Sequence, residues 1–180
     1  MLEEAELEEL KSRLSKEFSD YTEIAGGKNY RFTHLEETHS IVCKMVKKLD
    51  VEVDREVLEV AALYHDIGRS EDIEDGEMDP FDGHEGHEKR GVRIVGDYVS
   101  DFVTEEQLEK IKTIILNHHS EAETVEGKIV QDADDVSNFG VGNLWRQIHY
   151  SAYHGRKLDE SLEYFWDTAL EEYRERIENF

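Results

Sequence analysis

Residues 54–68 read Asp54-Arg55-Glu56-Val57-Leu58-Glu59-Val60-Ala61-Ala62-Leu63-Tyr64-His65-Asp66-Ile67-Gly68. Asp54 has the side chain of a helix cap, and Val57, Leu58, Ala61 and Leu63 recur at helical spacing behind it. Gly68 marks the predicted stop. An otherwise apolar helix therefore ends on an imidazole beside a carboxylate. Neighbours on a regular helix point about 100° apart, so His65 and Asp66 can meet at one atom only where the last turn loosens.

Helical spacing continues on both sides. Pro80 is the sole proline. Leu7, Leu10, Leu14, Phe18 and Tyr21 form the stripe of a first helix. Thr33 and Glu36 form a capping-box pattern that predicts the start of a second, running to about Leu49. Ser70 to Gly83 is an acidic stretch expected to be a loop, of the length that serves as a lid or lies disordered. A fourth helix places His87, Gly91, Ile94 and Tyr98 on one face. A fifth is capped by Thr104 and Gln107 and is apolar at Leu108, Ile111, Ile114 and Ile115. A sixth is expected over Ile129–Val136, a seventh from about Asn143, and a last from about Asp159 through Leu162, Phe165, Ala169, Tyr173 and Ile177. No alternating strand pattern stands out. The expectation is an all-α, single-domain helical bundle over residues 1–180.

Composition narrows the function classes. At 180 residues the chain is long enough to bury a core. A net charge of -23 repels duplex nucleic acid and anionic bilayers, so neither is an expected partner. Cys43 is the only cysteine, which precludes an intrachain disulfide and fits a reducing compartment. No apolar run reaches the roughly 18 residues of a membrane span. The acidic N-terminal decapeptide lacks the positive region of a signal peptide, so a cytoplasmic location is expected.

Helical wheels select candidate metal ligands. His34 lies roughly 60° from the apolar centre of the second helix and His39 roughly 85°. On the fifth helix His118 is about 30° off centre and His119 about 70°; on the sixth, Asp132 is about 60° off and Asp134 and Asp135 about 120° or more. A carboxylate on an apolar face is costly unless paired or bound to a metal, and imidazole with carboxylate suits a divalent cation. Alternatives remain for each: His34 as a helix-start residue, His65 and Asp66 as a structural pair, Asp132 as a cap. Other motifs fail. His84 and His87 are one residue too close for a zincin pair, Gly26-Gly27-Lys28 lacks the rest of a phosphate loop, and Cys43 has no positioned base. Residues 72–82 lack the ligand order of an EF-hand.

The segments Phe32-Thr33-His34-Leu35-Glu36-Glu37-Thr38, Ala61-Ala62-Leu63-Tyr64-His65-Asp66-Ile67-Gly68 and Val130-Gln131-Asp132-Ala133-Asp134-Asp135-Val136 resemble the H…HD…D signature of HD-domain phosphohydrolases, from about Tyr30 to Gly140. The resemblance implies metal ligation by His34, His65, Asp66 and Asp132. Two-metal members add histidines, which His87 and His118 resemble; His84 competes with the first, and His119 with the second or as a substrate contact. The implied activity is hydrolysis of a phosphate ester or anhydride on a small, nucleotide-like molecule. Asp66 and Arg69 are the catalytic candidates, the first on the cation and the second neutralising phosphate, unless Arg69 is an exposed helix-end cation. The cofactor is a divalent cation among Mn, Fe, Ni, Co, Zn and Mg, with a second left open, as is a homodimer. Two rivals accompany this reading: a di-iron oxygenase of the same type and a non-catalytic nucleotide sensor.

Overall fold

The computed structural model describes residues 2–19, 22–23, 27–73 and 86–176. Its elements are α1 (Glu4–Phe18), a two-residue antiparallel ladder of β1 (Thr22–Glu23) and β2 (Gly27–Lys28), α2 (Tyr30–Val46), α3 (Arg55–Tyr64), a 3-10 helix (Ile67–Ile73), α4 (His87–Val99), α5 (Glu105–Asn117), α6 (Val125–Ser137), α7 (Val141–Tyr153), α8 (Leu158–Tyr164), a π-helical stretch (Phe165–Ala169) and α9 (Leu170–Arg176). Among the described residues the structure is all-α apart from that ladder. Tyr21, His84, Ile177 and residues 74–83 of the expected loop lie outside the described residues.

α3 is the central element. All seven residues from Val57 to Tyr64 other than Glu59 are buried, and the helix packs against α2, α4, α5 and α6. Its start follows the sequence, with Asp54 Oδ1 accepting the Val57 N–H at 3.3 Å. Around it lie Leu10, Leu14 and Phe18 of α1, Leu35 and Val42 of α2, Val95 and Val99 of α4, Ile111, Ile114 and Ile115 of α5, and Ile129, Val130 and Ala133 of α6. Tyr64, wholly buried, donates its hydroxyl to the Leu10 carbonyl at 2.8 Å and ties α1 to this core.

Several boundaries differ from the sequence expectation. α2 starts at Tyr30, three residues before Thr33, because Asn29 takes the left-handed conformation and opens the helix there. Thr33 Oγ1 then bonds back to the Asn29 carbonyl at 3.0 Å, and His34 sits in the second turn, not at a helix start. α6 begins at Val125, where Thr124 caps Gly127 at 3.0 Å. α7 begins at Val141. On α4 the buried face is His87, Gly91, Val95 and Val99; Ile94 and Tyr98 lie at its margin. The predicted box at Thr104 and Gln107 is present.

α3 ends at Tyr64, and His65 and Asp66 lie in a turn before the 3-10 helix begins at Ile67, the break in regular α geometry that the pair requires. Gly68 does not terminate α3 by a left-handed turn. Its role is closeness: a Cβ there would lie 2.0 Å from the His87 carbonyl oxygen and 2.5 Å from the Gly91 nitrogen. The 3-10 helix thus rests directly on the first turn of α4. Gly68→Ala is expected to cost about 3 kcal/mol or more, because the obstacle is backbone that cannot turn aside. Gly96→Ala, whose new Cβ would meet only Leu108 Cδ2 at 3.7 Å, should instead stabilise by about 0.5–1 kcal/mol. Urea unfolding of the two variants checks both signs.

Candidate metal centre

Asp66 lies at the point where the 3-10 helix leaves α3, buried to 3% exposure. Its Oδ2 accepts from the Arg31 guanidinium of α2 and lies 3.4 Å from Arg69 Nε. Its Oδ1 faces the histidines, 3.1 Å from His87 Nε2 and 3.4 Å from His118 Nε2. Burial pushes the carboxyl up, but Arg31, Arg69 and the two imidazoles outweigh it and hold Asp66 well below the usual carboxylate range. Asp66 is therefore a buried carboxylate kept ionised, with one oxygen for the arginines and the other for the imidazoles.

A second carboxylate stands across the centre. Asp134 Oδ1 on α6 lies 3.1 Å from His34 Nε2 and 3.6 Å from His65 Nε2. Burial raises the Asp134 carboxyl, and its bonds to His34 and His65 more than offset that, leaving it well below its usual value. Burial lowers His34, against the pull of Asp134; in His65 the same carboxylate, with Asp66, outweighs burial and raises the imidazole.

The orientation of the rings decides what this arrangement can hold. His65 Nδ1 is 2.9 Å from the Ala62 carbonyl oxygen, and His118 Nδ1 is 2.6 Å from that of Ile115. A carbonyl only accepts, so each Nδ1 carries a hydrogen, and in the neutral ring Nε2 is left to present its lone pair. The Ser137 hydroxyl donates to the Asp134 carbonyl at 2.6 Å, so at 3.2 Å it accepts from His34 Nδ1 and turns that ring the same way. In their neutral form three imidazoles thus aim acceptor nitrogens at carboxylate oxygens, acceptor against acceptor. His65 Nε2 and Asp66 Oδ1 are buried and make no hydrogen bond of good geometry. Such an arrangement calls for positive charge between the groups, supplied by a proton on the ring or by a metal cation, and histidines whose far nitrogen donates to a carbonyl or hydroxyl are the usual form of metal ligands. Ligand atoms of His34, His65 and Asp66 lie within 4.8 Å of one another, as do those of Asp66, His87, His118 and His119. The donor set fits one divalent cation in each group, with Asp66 common to both.

The structure brings His34, His65, Asp66, His87 and His118 together. Asp132 is buried too, but the carboxylate set against both histidines is that of Asp134, two residues on. The wheel fails there because α6 is covered from several sides, by α2, α3, α5 and α9, and a single apolar centre does not describe its inward face. Arg69 is buried and turned onto Asp66, which removes the exposed helix-end alternative. His39 is buried 3.7 Å from Cys43 Sγ, away from these clusters. Arg31 was not foreseen; a lone arginine in the first turn of a helix carries no signal until its partner is known.

With this geometry in view, the HD domain family model matches residues 31–138. The chain belongs to the HD domain family. The crystal structure of Bacillus subtilis YpgQ in complex with ADP is similar to it, with a TM-score of 0.57, 20% sequence identity and coverage of 95% of this chain and 90% of that one. At that identity the likeness shows a shared fold. No curated protein gives a significant sequence match. Among the described residues no helix is long and apolar enough to cross a membrane.

Removing one member of a buried ion pair strands the other. Arg31→Met is therefore expected to lower the unfolding free energy by about 3 kcal/mol, measured by urea titration in the presence of a chelator. Arg174→Met, which breaks an exposed pair with Glu171, should leave the midpoint where it is.

Proposed function

We propose that this HD domain protein is a metal-dependent phosphohydrolase acting on a phosphate ester or anhydride of a small, nucleotide-like substrate. The observation that carries the reading is the convergence of imidazole Nε2 lone pairs on two ionised, buried carboxylates. In this reading His34, His65, Asp66 and Asp134 hold one divalent cation, Asp134 taking the place the sequence assigned to Asp132. His87 and His118, with Asp66 shared, hold a second, and His119 borders it. A cation so held supplies Lewis acidity towards a phosphoryl oxygen and lowers the pKa of water.

The chain's own residues supply the rest. Asp66 stays ionised at neutral pH because Arg31 and Arg69 face it, so this carboxyl need lose no proton before a cation is bound. Arg31 fixes the carboxylate from α2, which leaves Arg69 the better placed guanidinium to take a phosphate oxygen. With a net charge of -23, attraction for an anionic substrate has to be local, and the cations with Arg69 provide it. YpgQ is a nucleotide-bound neighbour, which accords with a nucleotide-like substrate here.

Asp66→Ala should abolish phosphate release from phosphorylated metabolites, screened with several divalent metals, while the far-ultraviolet circular dichroism stays near wild type. A variant retaining more than a few per cent of turnover would refute the role of Asp66. Two irons per chain with oxygen consumption and no phosphate release would establish the oxygenase rival instead, and binding of a nucleotide without turnover under any divalent cation the sensor.

Metal content tests the two clusters separately. The double variant His87→Ala, His118→Ala should fall from two ions per chain to one, measured by elemental analysis after dialysis. Asp134→Ala should weaken the remaining ion at least about tenfold, the loss expected when a group on a metal site is removed. Asp132→Ala should weaken it less.

A further inference from the structure

α7 is amphipathic in the inverted sense. Val141, Trp145, Ile148 and Ala152 are exposed, at 82%, 52% and 37% for the first three, and at 100° per residue they fall within about 60° of arc. The buried positions of the same helix are Asn143 and Ser151, both polar. Trp145 leans on the His149 ring, with centroids 4.4 Å apart. An apolar patch of this kind on a polar protein marks an interaction site.

Charge identifies what can cover it. The chain has 44 Asp and Glu, yet from Val136 to Leu158 there is none, while Arg146, Arg156 and Lys157 fall within that run. Two copies of a molecule carrying -23 repel across any face that bears its average density of carboxylates. They meet most readily where carboxylates are missing, and α7 carries its outward apolar stripe inside the acid-free run. We infer that this face of α7 is the interface of a homodimer, two copies packing α7 against α7 about a two-fold axis. Antiparallel packing brings Arg156 and Lys157, which follow the C-terminal end of α7, towards the N-terminal end of the partner helix, where Glu37 lies against Gly140 and Gly142. The stripe spans about 16 Å, three helical turns, enough for a ridge of large side chains to interdigitate with its copy.

A bilayer is the competing occupant for a surface of tryptophan, tyrosine and basic residues, but the acidic remainder of the molecule would be driven off anionic lipid. Light scattering coupled to gel filtration tests the assignment on the full chain. The mass should be twice the 21.0 kDa of one chain at concentrations up to about 0.1 mM, and the dimer should tighten as salt screens the net charge. Trp145→Glu and, separately, Ala152→Glu should each give the monomer with unchanged circular dichroism. Tryptophan emission of the wild type should shift to the blue as concentration rises. A wild type that stays monomeric throughout, a dimer indifferent to both substitutions, or a monomer that floats with phosphatidylserine vesicles would each overturn the inference. None of these readouts depends on metal content or turnover.

Discussion

The carboxylate of Asp66 is an ion in a protein interior, and the surrounding architecture answers its cost. Moving a carboxylate out of water carries a penalty of several kcal/mol, repaid only by well-placed partners. Those partners come from separate elements: Arg31 from α2, Arg69 from the 3-10 helix, His87 from the start of α4 and His118 from the end of α5. Each element must therefore reach the same point, and the packing of α2, α4 and α5 around α3 is the arrangement that lets them. The close contact of Gly68 with His87 and Gly91 is part of the same demand, since it sets the carboxylate-bearing turn directly on the helix that carries His87.

Helix ends do much of the orienting. The last turn of a helix leaves carbonyls without intrahelical partners. His65 follows α3 and His118 follows α5, and each gives its Nδ1 hydrogen to a carbonyl three residues back. The backbone groups that a terminus would otherwise leave to water thereby fix two ring tautomers. His34, inside α2, has no free carbonyl at hand and is turned by the Ser137 hydroxyl across the bundle. Three imidazoles from three helices end with the same nitrogen outward, without any shared sequence motif to enforce it.

The inward and outward sides of the molecule contrast in charge. The centre collects guanidinium and imidazole around ionised carboxylates in a protein whose surface is strongly acidic. α7 reverses that pattern locally, apolar and free of acid on its solvent side and polar at its buried positions. Its inner face still reaches towards the centre: the Arg146 guanidinium is 6.0 Å from the Tyr30 ring, which stacks on His34 at 6.1 Å between centroids. The same helix thus links the candidate metal centre to the exposed apolar stripe.

Periodicity and end signals were enough to define the helices, because a stripe at 3.6-residue spacing and a capping side chain are local features. The expected cap at Asp54 and box at Thr104 form as the residues dictate, and the box expected at Thr33 does not. His65 beside Asp66 at the end of an apolar helix, and inward-leaning His34, His87 and His118, were legible for the same reason. The start of α2 was not, since it depends on Asn29 adopting a left-handed conformation that no pattern announces. The choice between Asp132 and Asp134 lay beyond any wheel, because α6 is covered on several sides and only the position of α2 and α3 tells which flank meets the histidines. The partnership of Arg31 with Asp66, 35 residues apart, likewise exists only once α2 and α3 are packed. Local spacing determines which residues can point inward; which of them meet is settled by the approach of helices distant in the chain.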